Sequence, residues 1–100
     1  MHYLFSYGTL QDPEIQEQLF GRKMKAEPDV LLGYELSSQK AYGQYPQITK
    51  SQNADAKIEG VALELSEEEL ERADNYEGPE YTRISVRLKS GKPAWAYVAK

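Results

Sequence analysis

The sequence predicts an α+β fold in which a mixed, largely antiparallel sheet or barrel carries two short helices. Three observations predict it. Five or six segments have the length and composition of strands, while only two carry helix signals. The two kinds do not alternate regularly, which argues against a doubly wound parallel sheet. The last two strand segments are joined by Ser90-Gly91-Lys92, a connection so short that they must pair antiparallel.

Each element has a local reason. Met1 to Tyr7 is an aromatic and apolar run stopped by Gly8 and Thr9, and reads as a buried strand. Asp12-Pro13-Glu14 opens a helix, with Asp12 as N-cap, Pro13 at the first helical position, Ile15, Leu19 and Phe20 on one face, and Gly21 closing it. Val30 to Leu36 is a second strand, and Tyr42 to Ile48 holds the breakers Gly43 and Pro46 of an irregular or edge segment. The polar turn Ser51 to Asp55 precedes the strand from Ile58 through Gly60 to Leu65. Ser66-Glu67-Glu68-Glu69 fits a capping box, and the helix it starts runs to about Asn75. Tyr81 to Leu88 alternates in strand fashion and leads through the Ser90-Gly91-Lys92 turn into Ala94 to Val98, a candidate exposed edge.

Composition narrows the chemistry. One hundred residues, 40% of them apolar, suffice for one core, so residues 1–100 are expected to form a single domain whose site shares that core. The chain has no cysteine and one histidine, His2, so thiolate and multi-imidazole metal sites and histidine triads lack material. With 8 tyrosines, 16 carboxylates and 12 cations, the composition favours a hydrolytic or acyl-transfer reaction run by a carboxylate. No stretch approaches the roughly 18 apolar residues of a membrane span, and no basic-then-apolar leader opens the chain; the expectation is a cytoplasmic protein with no membrane partner. With 12 basic against 16 acidic side chains and no basic stripe, a nucleic-acid partner is not expected and a small polar ligand is. Oligomeric state is not legible.

Two stretches are candidate sites. Tyr7-Gly8-Thr9-Leu10 follows a buried strand and precedes a capped helix; a glycine there lets backbone approach a ligand, and successive amides in a turn can converge on a carboxylate. The same residues also fit an ordinary strand exit with Thr9 bonding locally. In Tyr76-Glu77-Gly78-Pro79-Glu80-Tyr81-Thr82-Arg83, a glutamate follows the helix, flanked by the rings of Tyr76 and Tyr81. Desolvated there, Glu77 would have its pKa raised toward the range of a proton shuttle. It equally fits a surface turn acid or an ion-pair partner for Arg83. Glu80, after the proline, is expected to face water.

Together these stretches resemble the γ-glutamylcyclotransferase-like superfamily, in its AIG2-like branch. The resemblance rests on Tyr7-Gly8-Thr9-Leu10, Gln11-Asp12-Pro13, Tyr45-Pro46, Gly60-Val61, Ala73 through Arg83, and Ala94-Trp95-Ala96-Tyr97-Val98, in order across almost the whole chain. It implies a small β-barrel flanked by helices, with the two turns meeting at a cavity. It implies Glu77 as the general acid/base and Tyr7 to Leu10 as donors holding the substrate. The implied substrate is a small γ-glutamyl compound, and the implied reaction is attack of its α-amine on its own γ-carbonyl, giving 5-oxoproline and a free amine without metal or organic cofactor. Tyr45 and Tyr81 are candidates for the cavity wall or for core packing; Arg83 is expected to tie its strand to a carboxylate. A related γ-glutamyl acyl-group cleavage, or a ligand-binding or regulatory module without turnover, remains compatible with the same residues.

Overall fold

The computed structural model describes residues 1–36 and 47–99. Within them the chain runs β1 (His2–Ser6), a 3₁₀ turn (Thr9–Gln11), α1 (Pro13–Phe20), β2 (Ala26–Leu32), β3 (Tyr34–Leu36), β4 (Ile48–Lys50), β5 (Lys57–Leu65), α2 (Glu67–Glu77), β6 (Tyr81–Arg87) and β7 (Pro93–Ala99). Five strands form one sheet in the order β2-β5-β1-β7-β6, and β3 and β4 form a separate pair. Every pairing is antiparallel except β1 with β7. The α+β class and the largely antiparallel, mixed sheet are as the sequence predicts.

The non-alternating run at the start of the chain is explained by the place of β1 at the centre of the sheet. Leu4 faces a core layer with Phe20, Leu63, Leu65, Leu70 and Tyr97, against which α1 and α2 lie. Phe5 faces a second layer with Leu31, Ile58, Val86, Leu88 and Ala96. A strand covered on both faces has no polar side, so its sequence shows continuous apolarity.

The sheet curls without closing into a strict barrel. Its outer strands β2 and β6 meet at one corner, where Leu31 bridges Leu88 and the Lys89 amide donates to the Val30 carbonyl at 2.8 Å. Buried Asp29 secures that corner, accepting from the Val30 amide at 2.8 Å and from the Ser90 hydroxyl at 2.6 Å. Two expectations are corrected. The segment Ala94 to Val98 is no edge: β7 lies between β1 and β6, because the side left open by the hairpin is taken by the first strand. The strand expected over Val30 to Leu36 begins earlier, at Ala26, and is broken at Gly33, whose φ of 82° sends the chain into β3. Of Tyr42 to Ile48, Ile48 opens β4; residues 42–46 lie outside the described residues.

Both helices start as their caps dictate. The Asp12 side chain accepts from the Glu14 amide at 2.9 Å, and Gly21, at φ 78°, closes α1. The capping box at Ser66 is complete in both directions. Glu69 also takes a two-pronged contact from Arg22, with Nε and Nη2 each at 2.8 Å, which ties the end of α1 to the start of α2. This contact holds the Glu69 carboxyl down at about 2. The folded chain therefore holds that proton less tightly than the unfolded chain. The stabilisation is complete above the ordinary glutamate range and is lost as pH falls from there toward 2. With Glu69 buried and Arg22 half exposed, we expect the loss to amount to about 2 kcal/mol. Urea unfolding of Glu69→Gln between neutral and acid pH should lack this component.

Candidate active site

β1 can deliver Tyr7 to the site because β5 has no side chain where the two strands converge. A Cβ on Gly60 would fall on the Ser6 carbonyl oxygen and within 2.8 Å of the Phe5 ring. Past Ser6 the chain turns through Gly8 into the 3₁₀ turn, closed by bonds from the Gln11 amide to the Gly8 carbonyl at 3.1 Å and from the Asp12 amide to the Thr9 carbonyl at 3.0 Å. The amides of Thr9 and Leu10 open that turn, so none of its carbonyls can accept from them. Leu10 itself is fixed on two sides. Its side chain is in the core, and its carbonyl accepts from Nε2 of the buried Gln16 at 2.8 Å, while Gln16 Oε1 accepts from the Met24 amide at 2.9 Å.

The other half of the site comes from α2, which runs two residues beyond Asn75 and ends on Glu77 itself. Gly78 makes the stop, with φ 86° and ψ 178°, a conformation essentially reserved for glycine. Glu77 is thus the last helical residue and not part of the following turn. A carboxylate at that end faces the negative pole of the helix dipole, and no basic residue sits in the last turn of α2.

The two halves face one cavity of about 540 Å³, lined by residues 4–10 on one side and by Tyr76, Glu77, Gly78, Glu80, Tyr81 and Tyr97 on the other. They touch where the Thr9 and Tyr76 hydroxyls lie 2.9 Å apart. Glu77 is half buried, and burial raises its carboxyl above the ordinary glutamate value. Among the described residues no cation or hydrogen-bond donor partners it. The ion-pair reading of Glu77 does not hold, because Arg83 is committed elsewhere: its Nε lies 2.6 Å from Asp74 Oδ1 and its guanidinium stacks 4.6 Å over Trp95. Arg83 ties β6 to α2, as expected of it. The Tyr7 hydroxyl donates to the Tyr97 carbonyl at 2.9 Å. Burial, then the charge of Glu77 and the neighbouring Tyr81, push its titration up, so it stays a neutral phenol.

Of the residues singled out from sequence, Tyr7, Gly8, Thr9, Leu10, Glu77 and Tyr81 line this one cavity. Tyr45 lies outside the described residues. Glu80 is exposed, as expected, yet borders the cavity. Sequence reasoning missed Ser6 and Tyr97. The signal for Tyr97 was present: along Ala94-Trp95-Ala96-Tyr97, small residues alternate with rings, which puts the rings on one face. A Cβ on Gly8 would meet no protein atom within 4 Å, so packing does not demand glycine there. We expect Gly8→Ala to change stability by no more than about 1 kcal/mol while weakening ligand binding about tenfold or more by intruding beside the amides. Thermal unfolding and ligand titration of the same preparation check both halves.

The family model for gamma-glutamyl cyclotransferase, AIG2-like, matches residues 4–100. The chain belongs to this family. Among its relatives, AIG2-like protein B of Arabidopsis thaliana is 33% identical over 89 residues, covering 88% of this chain and 50% of that protein. The chain spans about half the length of the curated relatives it matches. A solution structure of an Arabidopsis thaliana protein superposes with a TM-score of 0.83 at 27% identity, over 98% of this chain and 61% of the other. A structure described as a gamma-glutamyl cyclotransferase shares the fold, with a TM-score of 0.77 at 20% identity, over 99% and 66% of the two chains. The AIG2-like fold thus accounts for the whole described architecture. Among the described residues no helix is long and apolar enough to cross a membrane.

Proposed function

We propose that the chain is a γ-glutamylcyclotransferase-type enzyme that closes a γ-glutamyl amide into 5-oxoproline and frees an amine, with Glu77 as general acid/base. The observation that carries this reading is a half-buried carboxylate, unpartnered among the described residues, facing the 3₁₀-turn amides across one cavity. A purely structural glutamate has no reason to sit dry at the wrong end of a helix, whereas a proton shuttle needs that placement.

The chemistry follows from the groups. The substrate's α-ammonium gives a proton to Glu77 and becomes a nucleophile. Its nitrogen attacks the γ-carbonyl carbon, and the ring C–N bond forms. Glu77 returns its proton to the amide nitrogen as that C–N bond breaks, then takes the surplus proton from the ring nitrogen and passes it to the departing amine, which leaves as an ammonium with Glu77 ionised again. The amides around Gly8 to Leu10 hold the substrate's carboxylate, with Tyr7 and Tyr81 on the walls. Nucleophile and carbonyl belong to one molecule, so the enzyme mainly has to enforce the cyclising conformer, which replaces several kcal/mol of barrier. No step calls for a metal or organic cofactor.

A panel of γ-glutamyl amino acids and γ-glutamyl amines, followed for 5-oxoproline by mass spectrometry, tests this reading. Turnover of at least one member by the wild type and none by Glu77→Gln is the expected result. A ligand that binds tightly and emerges unchanged, with Glu77 dispensable for its binding, would establish a binding module instead.

A further inference from the structure

Tyr97 is buried in β7 and lines the cavity with Glu77, but the mechanism above gives it no task. Its hydroxyl donates to Asp74 Oδ1 at 2.7 Å, and Asp74 is itself paired with Arg83. A phenol carries one proton. With that proton committed to an ion-paired carboxylate, the oxygen offers a ligand only its lone pairs. The Tyr7 hydroxyl, whose proton goes to the Tyr97 carbonyl, is restricted in the same way. Both phenols sense the charge of Glu77, and burial keeps each of them neutral. Near Glu77 the cavity thus offers a ligand acceptors at the Glu77 carboxylate and at the Tyr97 and Tyr7 hydroxyls, and donors at the amides that open the 3₁₀ turn.

We propose that Tyr97 is a specificity residue that accepts a hydrogen bond from the substrate's α-ammonium, so that the site admits acyl amides with a free α-amine and discriminates against those whose α-amine is absent. The proposal rests on the ring-closing reading and deepens it. The Asp74–Arg83 pair is the positioning device, since it prevents the phenol from turning its proton toward the ligand.

The test is a residue–ligand cycle in the Glu77→Gln background, where the ligand stays intact. Dissociation constants are measured by calorimetry for γ-glutamyl methylamide and for glutaric acid monomethylamide, which lacks the α-amine, with Tyr97 present and with Tyr97→Phe. A hydrogen bond to a charged group predicts that Tyr97→Phe weakens the first ligand about tenfold or more and the second less than about twofold. Should Tyr97→Phe fold poorly, Asp74→Asn serves in its place: its amide can donate to the phenol oxygen, and the same selective loss is expected. Equal loss for both ligands, or no loss for either, overturns the assignment and leaves ring closure standing. If neither ligand binds and the wild type yields no 5-oxoproline from the panel, the ring-closing reading fails and the Tyr97 assignment falls with it.

Discussion

Glu77→Gln should lower kcat by about 10²–10⁴-fold, the ordinary contribution of a positioned acid/base, and at neutral pH should leave the fold at least as stable as before. The two halves of that expectation have one cause. Burial raises the Glu77 carboxyl, so the folded chain holds this proton more tightly than the unfolded chain. Stability from this group is therefore present at acid pH and lost as pH rises from the ordinary glutamate range through the raised value. At neutral pH the ionised, half-dry carboxylate is a cost, which an amide of the same shape removes. Its sign is opposite to that of Glu69, whose contact with Arg22 is lost at acid pH. The acid limb of the wild-type kcat/KM profile should likewise fall above the ordinary glutamate value, because Glu77 must be ionised to begin the reaction. Chemical unfolding and kinetics on one preparation test the trade. A variant that is both inactive and markedly less stable would make Glu77 a structural residue.

The second large effect is expected at Gly60. Gly60→Ala drives a methyl group onto the Ser6 carbonyl oxygen and the Phe5 ring, both in the central strand. Neither can give way cheaply, since Phe5 is almost fully buried and Ser6 is held by its pairing with Val61. We expect a loss of at least about 3 kcal/mol, or roughly 12–24 °C in Tm for a chain of this size. Any folded fraction should have a displaced Tyr7 and weakened ligand binding. Gly8→Ala, two residues beyond Ser6, is the counterpart: nearly neutral for folding, damaging for binding. Melting curves of the two variants side by side separate a glycine required by packing from one required by the ligand. A Gly60→Ala protein that melts within a few degrees of wild type would contradict the close approach of β1 and β5.

The contrast between these glycines indicates what was legible beforehand. Signals carried by adjacent residues were readable: the Asp12-Pro13 start of α1, the Ser66-to-Glu69 box, the apolar run of β1, and the order of the two site stretches. Features set by partners distant in sequence were not. Gly60 read as an ordinary strand glycine because the atom that excludes a Cβ belongs to Ser6. The sequence predicts a helix to about Asn75, two residues short of its end. In the fold Asp74 is occupied by Arg83 and Tyr97, and Gly78 makes the stop, which carries Glu77 into the helix. The interior place of β7 depends on a parallel contact with the opposite end of the chain, which no local pattern announces. Glu77 and residues 7–10 are readable locally as two stretches; that they share one cavity is implied only by the family resemblance, because it takes the whole sheet to bring them together.

The central claim is ring closure on a substrate whose nucleophile is its own α-amine. Its most direct test is turnover of a γ-glutamyl amine in water enriched in heavy oxygen, with the acyl product weighed by mass spectrometry. Ring closure predicts one unlabelled 5-oxoproline for each amine released, and neither product from Glu77→Gln. Glutamate carrying one heavy oxygen would mean that water attacks the carbonyl, and would contradict the account.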